Sequence, residues 1–249
     1  MINIKSPREI EIIRNNGKLV AGALQLVKES VKPGVTTLNL DKIVKTFVEK
    51  NGAKCAFFGY RGYPANICVS IDEEVVHGIP GPRVLAPGQI VSVDVGVFKD
   101  GYYADGAESF KVDGASAEVD QLMKVTQSAL EIGLAQAKPG NHVGHISNAI
   151  QSHVESQGFS VVRDLVGHGV GKEMHEEPQI PNYGQPNSGP VLKQGMVLAI
   201  EPMVNAGGYK VTTKLDGWTI VTADGSISAH FEHTVAVSVD GPLILTSLN

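Results

Sequence analysis

The tripeptide Lys32-Pro33-Gly34 returns in the second half of the chain as Lys138-Pro139-Gly140, and the pattern around it returns too. Each copy follows one helical pattern and precedes a second, which ends at a glycine eighteen residues beyond the first: Gly34 to Gly52, and Gly140 to Gly158. Downstream, Gly88-Gln89-Ile90-Val91-Ser92-Val93-Asp94 is matched in pattern by Gly195-Met196-Val197-Leu198-Ala199-Ile200-Glu201, each carboxylate six residues after its glycine. Each half also carries one His-Gly upstream of that segment, His77-Gly78 and His168-Gly169. One Pro-Gly coincidence marks a loop and little else, but a shared order of helix, helix, His-Gly and strand ending in a carboxylate points to two halves on one plan. The expectation is an α+β fold with an internal pseudo-twofold. It would be a single domain over residues 1–249, with repeats at about 7–112 and 117–239 and a site between the halves.

Local signals agree with this plan. Ser6 as N-cap, Pro7 at the first helical position and Glu9 three residues after the cap form a capping box. Ile10, Ile13, Val20, Leu24 and Val27 then recur on one helical face, and Pro33-Gly34 stops the pattern. A second amphipathic stretch with Leu40, Ile43, Val44, Phe47 and Val48 runs to Asn51-Gly52, and in the second half a long helical pattern covers 117–137. With 249 residues and 42% apolar content there is material for one large core.

Composition removes several functional classes. The first fifteen residues mix charges and lack an apolar run, so no targeting segment is expected and the protein is read as cytoplasmic. No uncharged apolar run approaches the roughly 20 residues that cross a bilayer, so no membrane partner is expected. A net charge of −5 with scattered Lys and Arg argues against direct nucleic-acid binding. Cys55 and Cys68 are too few for a disulfide framework or a thiolate zinc site, so oxygen and imidazole must hold any metal.

Residues 90–97 alternate, with Val91, Val93, Val95 and Val97 on one side and Ser92, Asp94 and Gly96 on the other, as a half-buried strand requires. Asp100-Gly101 is a hairpin signal, and a turn there sets Gly96 opposite Asp105 and Asp94 opposite Ala107. Both aspartates then leave one face as diagonal neighbours, their Cα atoms roughly 7–8 Å apart. Like charges so placed destabilise a sheet unless a proton or a cation compensates. For the pair alone, a bound cation and one aspartate left solvated at a strand end both remain open. The second half favours the cation. Glu201 closes the apolar run 196–200, and Glu232 lies in a strand-like stretch over 227–239, preceded by a hairpin signal at Asp224-Gly225. Glutamates inside apolar segments need partners. Four carboxylates and one imidazole suit two divalent ions about 3.5–4 Å apart better than a single structural zinc.

These residues fall in segments that are specific when taken together: Gly59-Tyr60-Arg61-Gly62-Tyr63-Pro64, Glu74-Val75-Val76-His77-Gly78-Ile79-Pro80, the Asp94/Asp105 pair, Gly167-His168-Gly169-Val170-Gly171, His175-Glu176-Glu177-Pro178, Ile200-Glu201-Pro202 and Glu232-His233-Thr234. In them, and over essentially its whole length, the chain resembles the type I methionine aminopeptidases of the short form without an N-terminal extension. The resemblance implies a pita-bread fold, in which helices cover an antiparallel sheet. It implies removal of the initiator methionine from nascent polypeptides when the second residue is small. Asp94, Asp105, His168, Glu201 and Glu232 are then implied as ligands of two divalent ions, with Asp105 and Glu232 bridging. Co, Mn, Fe(II) and Zn all tolerate that set. A bridging water of lowered pKa attacks the scissile carbonyl, and Glu201 takes its proton. His175 donates to the carbonyl oxygen, and His77 holds the leaving-group side of the peptide bond. Tyr60, Tyr63, Cys68 and Trp218, with Phe57 and Met174 nearby, are implied to line the methionine pocket, whose aromatic walls suit a thioether. Any of the six taken alone reads as ordinary core.

Four positions depart from the family's common pattern. Gly106 stands where a larger residue, often Thr, is common, so a hydrogen bond beside Asp105 is expected to be missing. Asp72 replaces a frequent Asn, Met174 an aromatic residue, and His230 a frequent Gln. These changes are expected to alter the substrate rim and leave the chemistry intact. His142, His145 and His153 read as solvated or structural, and His233 is given no ligand role. Lys172 and Glu173 read as a solvated loop. The expected partners are nascent N-termini and a transient ribosome contact, and the expected state is a monomer. A proline-specific peptidase of the same fold usually carries an extra N-terminal domain, and a non-catalytic binding module would show broken ligands. A binuclear phosphoesterase, in turn, would add basic or glycine-rich phosphate contacts.

Overall fold

Helix α1 (Pro7–Ser30) starts where its capping box predicts: the Glu9 carboxylate accepts from the Ser6 N–H at 2.8 Å, and the Ser6 hydroxyl accepts from the Glu9 N–H. The Ser6 N–H, the Tyr102 hydroxyl and the Ser6 hydroxyl all donate to the Glu9 carboxylate and hold it down at about 2. Ile13, Val20, Leu24 and Val27 are buried, as their spacing requires. Helix α2 (Thr37–Lys50) is capped by the Thr36 hydroxyl. Helix α3 (Ala117–Leu134) stops three residues short of the expected 137, because the Gln136 and Ala137 N–H groups turn back to Gly133 and Leu134, three residues behind them. Helix α4 (Val143–Ser156) completes the set. The computed structural model describes residues 1–248, and among them no helix is long and apolar enough to cross a membrane.

The repeated tripeptides make the same backbone bonds. Gly34 N–H donates to Leu85 O at 2.9 Å and Gly140 N–H to Leu192 O at 3.0 Å. Leu85 N–H returns to Val35 O at 2.8 Å, and Leu192 N–H to Asn141 O at 2.7 Å. Both glycines hold a left-handed φ, 89° and 91°, which a side chain would strain. Each half thus clamps the start of its second helix against a loop ahead of its carboxylate-bearing strand.

The Ile90–Lys99 and Tyr102–Lys111 strands form the hairpin that Asp100-Gly101 predicts, with Gly96 opposite Asp105 and Asp94 opposite Ala107. Cys68–Ile71 lies on the other side of Ile90–Lys99. In the second half Val166–Gly169 lies beside Val197–Ile200, next to Glu176–Pro181 on one flank and His233–Ala236 on the other. Two apolar clusters result, one under α1 and α2 and one under α3 and α4.

Three expectations fail. Ser70 pairs with Ser92, and His168 pairs with Ala199, which occupies the place of Ser92 counted from its own glycine. His168 is therefore the counterpart of Ser70, and the His-Gly parallel with His77 is a coincidence of composition. Asp224-Gly225 makes a turn but no hairpin. Ile220–Thr222 pairs with Val211–Thr213 and Glu74–Val76, whereas Ser228–His230 pairs with Met203–Asn205. The stretch 227–239 is also not one strand. It breaks at Phe231-Glu232, where the chain changes sheets and Glu232 exchanges backbone bonds with Ala107, at 2.9 and 3.4 Å.

Gly78 packs against the neighbouring backbone so closely that a Cβ built on it would collide with the Val69 carbonyl oxygen. Gly78→Ala should therefore cost about 1–3 kcal/mol. The check is urea unfolding, and a midpoint equal to that of the wild type would contradict the close approach.

Candidate metal centre and adjoining pocket

The hairpin delivers Asp94 and Asp105 to one face, Val166–Gly169 brings His168, Glu201 follows Val197–Ile200, and the break between sheets brings Glu232. One ligand atom each from Asp105, His168 and Glu232 lies within 4.8 Å of the other two, and all three residues are buried. His168 Nε2 is 3.5 Å from Asp105 Oδ2 and 3.6 Å from Glu201 Oε1. Asp94 shares the group: its charge helps raise the carboxyls of Glu201 and Glu232.

The charge state of this cluster indicates which kind of group fits it. Burial holds the His168 ring neutral, and its Nδ1 lies 2.9 Å from the Gly169 carbonyl oxygen. Nδ1 therefore carries the proton, and Nε2 turns a lone pair toward carboxylate oxygens. Acceptors facing acceptors repel unless a cation lies between them. Asp94 Oδ1 is likewise buried and finds no hydrogen-bond partner among the described residues. Burial first, then neighbouring carboxylates, push Asp94, Glu201 and Glu232 well above the usual carboxyl range, and burial raises Asp105 to about 6. A hard or borderline divalent ion fits these donors.

Thr234, absent from the predicted set, supports this centre. Its hydroxyl lies 3.1 Å from Asp105 Oδ1 and donates to the Asp105 carbonyl at 2.8 Å. It supplies a partner on the Asp105 side that Gly106 cannot, and a side chain at 106 would crowd Val20. The signal was present, since Thr234 closes the Glu232-His233-Thr234 motif. Asn182, also missed, donates from Nδ2 to the Glu201 carbonyl at 3.0 Å. Met174, 2% exposed, packs with Phe57, Tyr63 and Cys68, and His230, expected at the rim, is likewise 2% exposed. His230 sits behind Glu201, with Nε2 3.7 Å from Oε2. Asp72 is fixed by Gln89 and the Ile90 N–H. His142 and His145 serve as a helix cap, His142 N–H donating to His145 Nδ1 at 2.9 Å. The side chains of Lys172 and Glu173 are exposed.

The predicted pocket residues come together next to this cluster. Phe57, Tyr63, Cys68 and Met174 are buried against one another, with Tyr60 and Trp218 packed beside them. Left-handed backbone at Gly59, Arg61 and Gly62 winds the loop that presents Tyr60 and Tyr63. Tyr63 meets Trp218 edge to face at 5.1 Å, and its hydroxyl donates to the Gly78 carbonyl at 2.9 Å. The Asp216 carboxylate accepts the Trp218 and Thr219 N–H groups, both at 2.8 Å, and so sets the turn that carries Trp218. Cys68 stands directly opposite Asp94, so pocket wall and metal cluster share adjacent strands.

Two further histidines border the cluster. His175 stacks on Tyr60, whose hydroxyl is 2.9 Å from His175 Nδ1, and its ring centroid is 4.2 Å from that of His168. Loss of hydration and the neighbouring His168 hold the His175 ring down at about 4. His77 has φ 60°, a conformation costly for a residue with a side chain, and burial lowers its pKa.

Comparison with known proteins agrees with this geometry. The sequence pattern of metallopeptidase family M24 matches residues 11–238. The chain is 52% identical over 246 residues to methionine aminopeptidase 1 of Bacillus subtilis (strain 168), covering 99% of each. Its structure is similar to the crystal structure of methionine aminopeptidase from Thermotoga maritima, with a TM-score of 0.98 and 49% identity over 99% of this chain and 100% of that one. An Xaa-Pro dipeptidase from Bacillus anthracis shares the fold, with a TM-score of 0.80 at 21% identity over 98% of this chain and 62% of that one.

The raised carboxyls fix the pH dependence of metal binding. In the metal-free protein the folded state holds the Asp105 proton more tightly than the unfolded chain does. That contribution to stability is full below the ordinary carboxyl pKa and is lost as pH rises through about 6. A divalent ion must displace such protons, so added metal should stabilise the fold more at pH 7.5 than at pH 5 and release protons at pH 6. Calorimetry in two buffers of different ionisation heat measures the release, and a metal affinity that does not vary with pH would contradict the assignment.

Proposed function

Because the chain belongs to metallopeptidase family M24, we propose that Asp94, Asp105, His168, Glu201 and Glu232 form its metal centre and would hold two divalent ions. The chain is an aminopeptidase that removes N-terminal methionine. The observation that carries the metal assignment is the neutral His168 nitrogen facing carboxylate oxygens at 3.5 and 3.6 Å. Co, Mn, Fe(II) and Zn all suit the donors, and availability selects among them. When bound, the ions supply a lowered water pKa and polarisation of the scissile carbonyl.

The chain's own groups bind, orient and move protons. Glu201, its backbone held by Asn182, takes a proton from the attacking water and returns it to the leaving amine. His175 stays neutral at pH 7. With the Tyr60 hydroxyl donating to Nδ1, its single proton sits on Nε2, and that N–H donates to the carbonyl oxygen as charge develops. His77, held in its left-handed conformation, contacts the leaving-group side. Tyr60, Tyr63, Cys68 and Trp218 receive the methionine side chain, since aromatic and sulfur surfaces favour a flexible thioether. The substrates are N-termini of nascent polypeptides whose second residue is small, met during a transient contact with the ribosome. Every proposed group comes from one chain, so a monomer suffices.

The test is hydrolysis of Met-Ala-Ser and Pro-Ala-Ser by metal-stripped protein with Co, Mn, Fe(II) or Zn restored under anaerobic conditions. Met should be released from the first peptide only. Glu201→Ala should lower turnover at least about a hundredfold. Tight binding of two ions with neither peptide cleaved would overturn the assignment of substrate. His175→Ala should lower kcat while calorimetry still finds metal bound, and a large loss of metal affinity would make His175 a ligand instead.

A further inference from the structure

His175 sits at the end of a short loop, 171–175, whose Lys172 and Glu173 side chains are exposed, with Lys172 Nζ 5.9 Å from the centroid of the Tyr102 ring. The anchor is the next residue. Glu176 Oε1 accepts the N–H groups of Lys172 at 2.9 Å and Glu173 at 3.3 Å, so it gathers the loop from inside. Its other oxygen, Oε2, accepts from Lys5 Nζ at 2.7 Å and Asn3 Nδ2 at 3.0 Å. The Lys5 and Glu176 side chains are each 5% exposed, so the pair is shielded from water and salt.

Lys5 is itself fixed. Its N–H donates to the Gly195 carbonyl at 2.8 Å and its Nζ to the Asn3 carbonyl at 3.2 Å. Gly171 packs so tightly between Lys5 and Glu176 that a Cβ there would strike both. From the other side, Tyr103 N–H donates to the Gly171 carbonyl at 2.8 Å. One carboxylate therefore ties the segment ahead of α1, which leads into the first half, to a loop of the second half that ends in His175.

We propose that Glu176, paired with Lys5, is a positioning residue for His175. The tether holds the loop so that the His175 ring meets Tyr60 and stands beside His168. The inference rests on the role given to His175 above. A donor to developing charge must be placed within a fraction of an ångström, and a shift of about 1 Å can cost a hundredfold in rate. Loosening the tether should therefore reduce kcat and leave methionine binding, and hence KM, nearly alone.

The experiment compares Lys5→Met, Lys5→Arg and Glu176→Gln, each alone and combined with His175→Ala, in the metal-loaded enzyme acting on Met-Ala-Ser. Lys5→Met should lower kcat about tenfold to a hundredfold, with KM within about twofold of wild type and metal affinity by calorimetry unchanged. Lys5→Arg should recover most of the rate, and Glu176→Gln should fall between. In the His175→Ala background the Lys5→Met loss should disappear, because there is no ring left to position. The same loss with and without His175, or wild-type kcat in folded Lys5→Met, would overturn the proposal. If Lys5→Met does not fold, Glu176→Gln carries the same comparison. A His175→Ala enzyme with wild-type kcat would remove the premise, and that outcome is distinct from failure of the tether alone.

Discussion

Asp105, Glu201 and Glu232 stand around one buried imidazole with Asp94 close enough to act on them, and the fold must compensate the charge these carboxyls would carry. A pair of like charges about 4 Å apart near a protein surface repels by roughly 4 kcal/mol, and burial makes it worse. Burial raises all four carboxyls, and neighbouring carboxylates add to the rise at Asp94, Glu201 and Glu232, so protons relieve the charge when no cation is bound. A divalent ion relieves it better and uses the His168 lone pair that protons on the carboxyls leave idle. The local architecture follows from this requirement: a long hairpin to deliver two aspartates, a break between sheets to deliver Glu232, and a strand beside Val197–Ile200 to bring His168 into reach.

The two halves divide this work unequally although their backbones repeat. Asp94 and Glu201 stand six residues after Gly88 and Gly195, both left-handed glycines at the start of their strands. The equivalence ends one strand away, where the first half places Ser70 and the second His168. Ser70 is spent locally, its hydroxyl accepting the Gly78 N–H at 3.2 Å and so helping to shape the backbone beside His77. The first half contributes the aromatic loop over 59–63. The second contributes His168 and the loop of His175. A repeated scaffold fixes where side chains stand, and single substitutions within it decide what each half does.

What was legible in the sequence follows from how local its cause is. The capping box at Ser6, the Asp100-Gly101 hairpin and the register that sets Asp94 opposite Ala107 depend on residues a few positions apart. All three could be read directly. The Asp224-Gly225 signal has the same form, but the strand after it pairs with Met203–Asn205 through non-local contacts that no turn residue encodes. The His77/His168 parallel failed because a dipeptide carries no register. His230 was expected at the rim and lies buried behind Glu201, since burial there depends on both halves closing over it. Thr234 could be read as part of a motif but not as the partner of Asp105, 129 residues away, and Lys5 was unreadable because its contact with Glu176 spans 171 residues.

The separation of rigid and adaptable parts bears on how chemistry and selection are coupled. The proposed metal ligands stand on strands or beside their ends, where displacement is costly. The groups proposed to meet substrate, Tyr60, Tyr63, His175 and Trp218, stand on loops. Those loops are stiffened in different ways: left-handed residues wind 59–63, Asp216 braces the turn of Trp218, and Glu176 gathers 171–175. Cys68 opposite Asp94 joins the two sets, because a side chain seated against that pocket wall lies beside a ligand-bearing strand. Depth of seating in the pocket and distance to the metal centre are then not independent. A residue too short to fill the pocket would lose contact area and also its hold on the reacting bond, so poor fit should appear in turnover as well as in affinity.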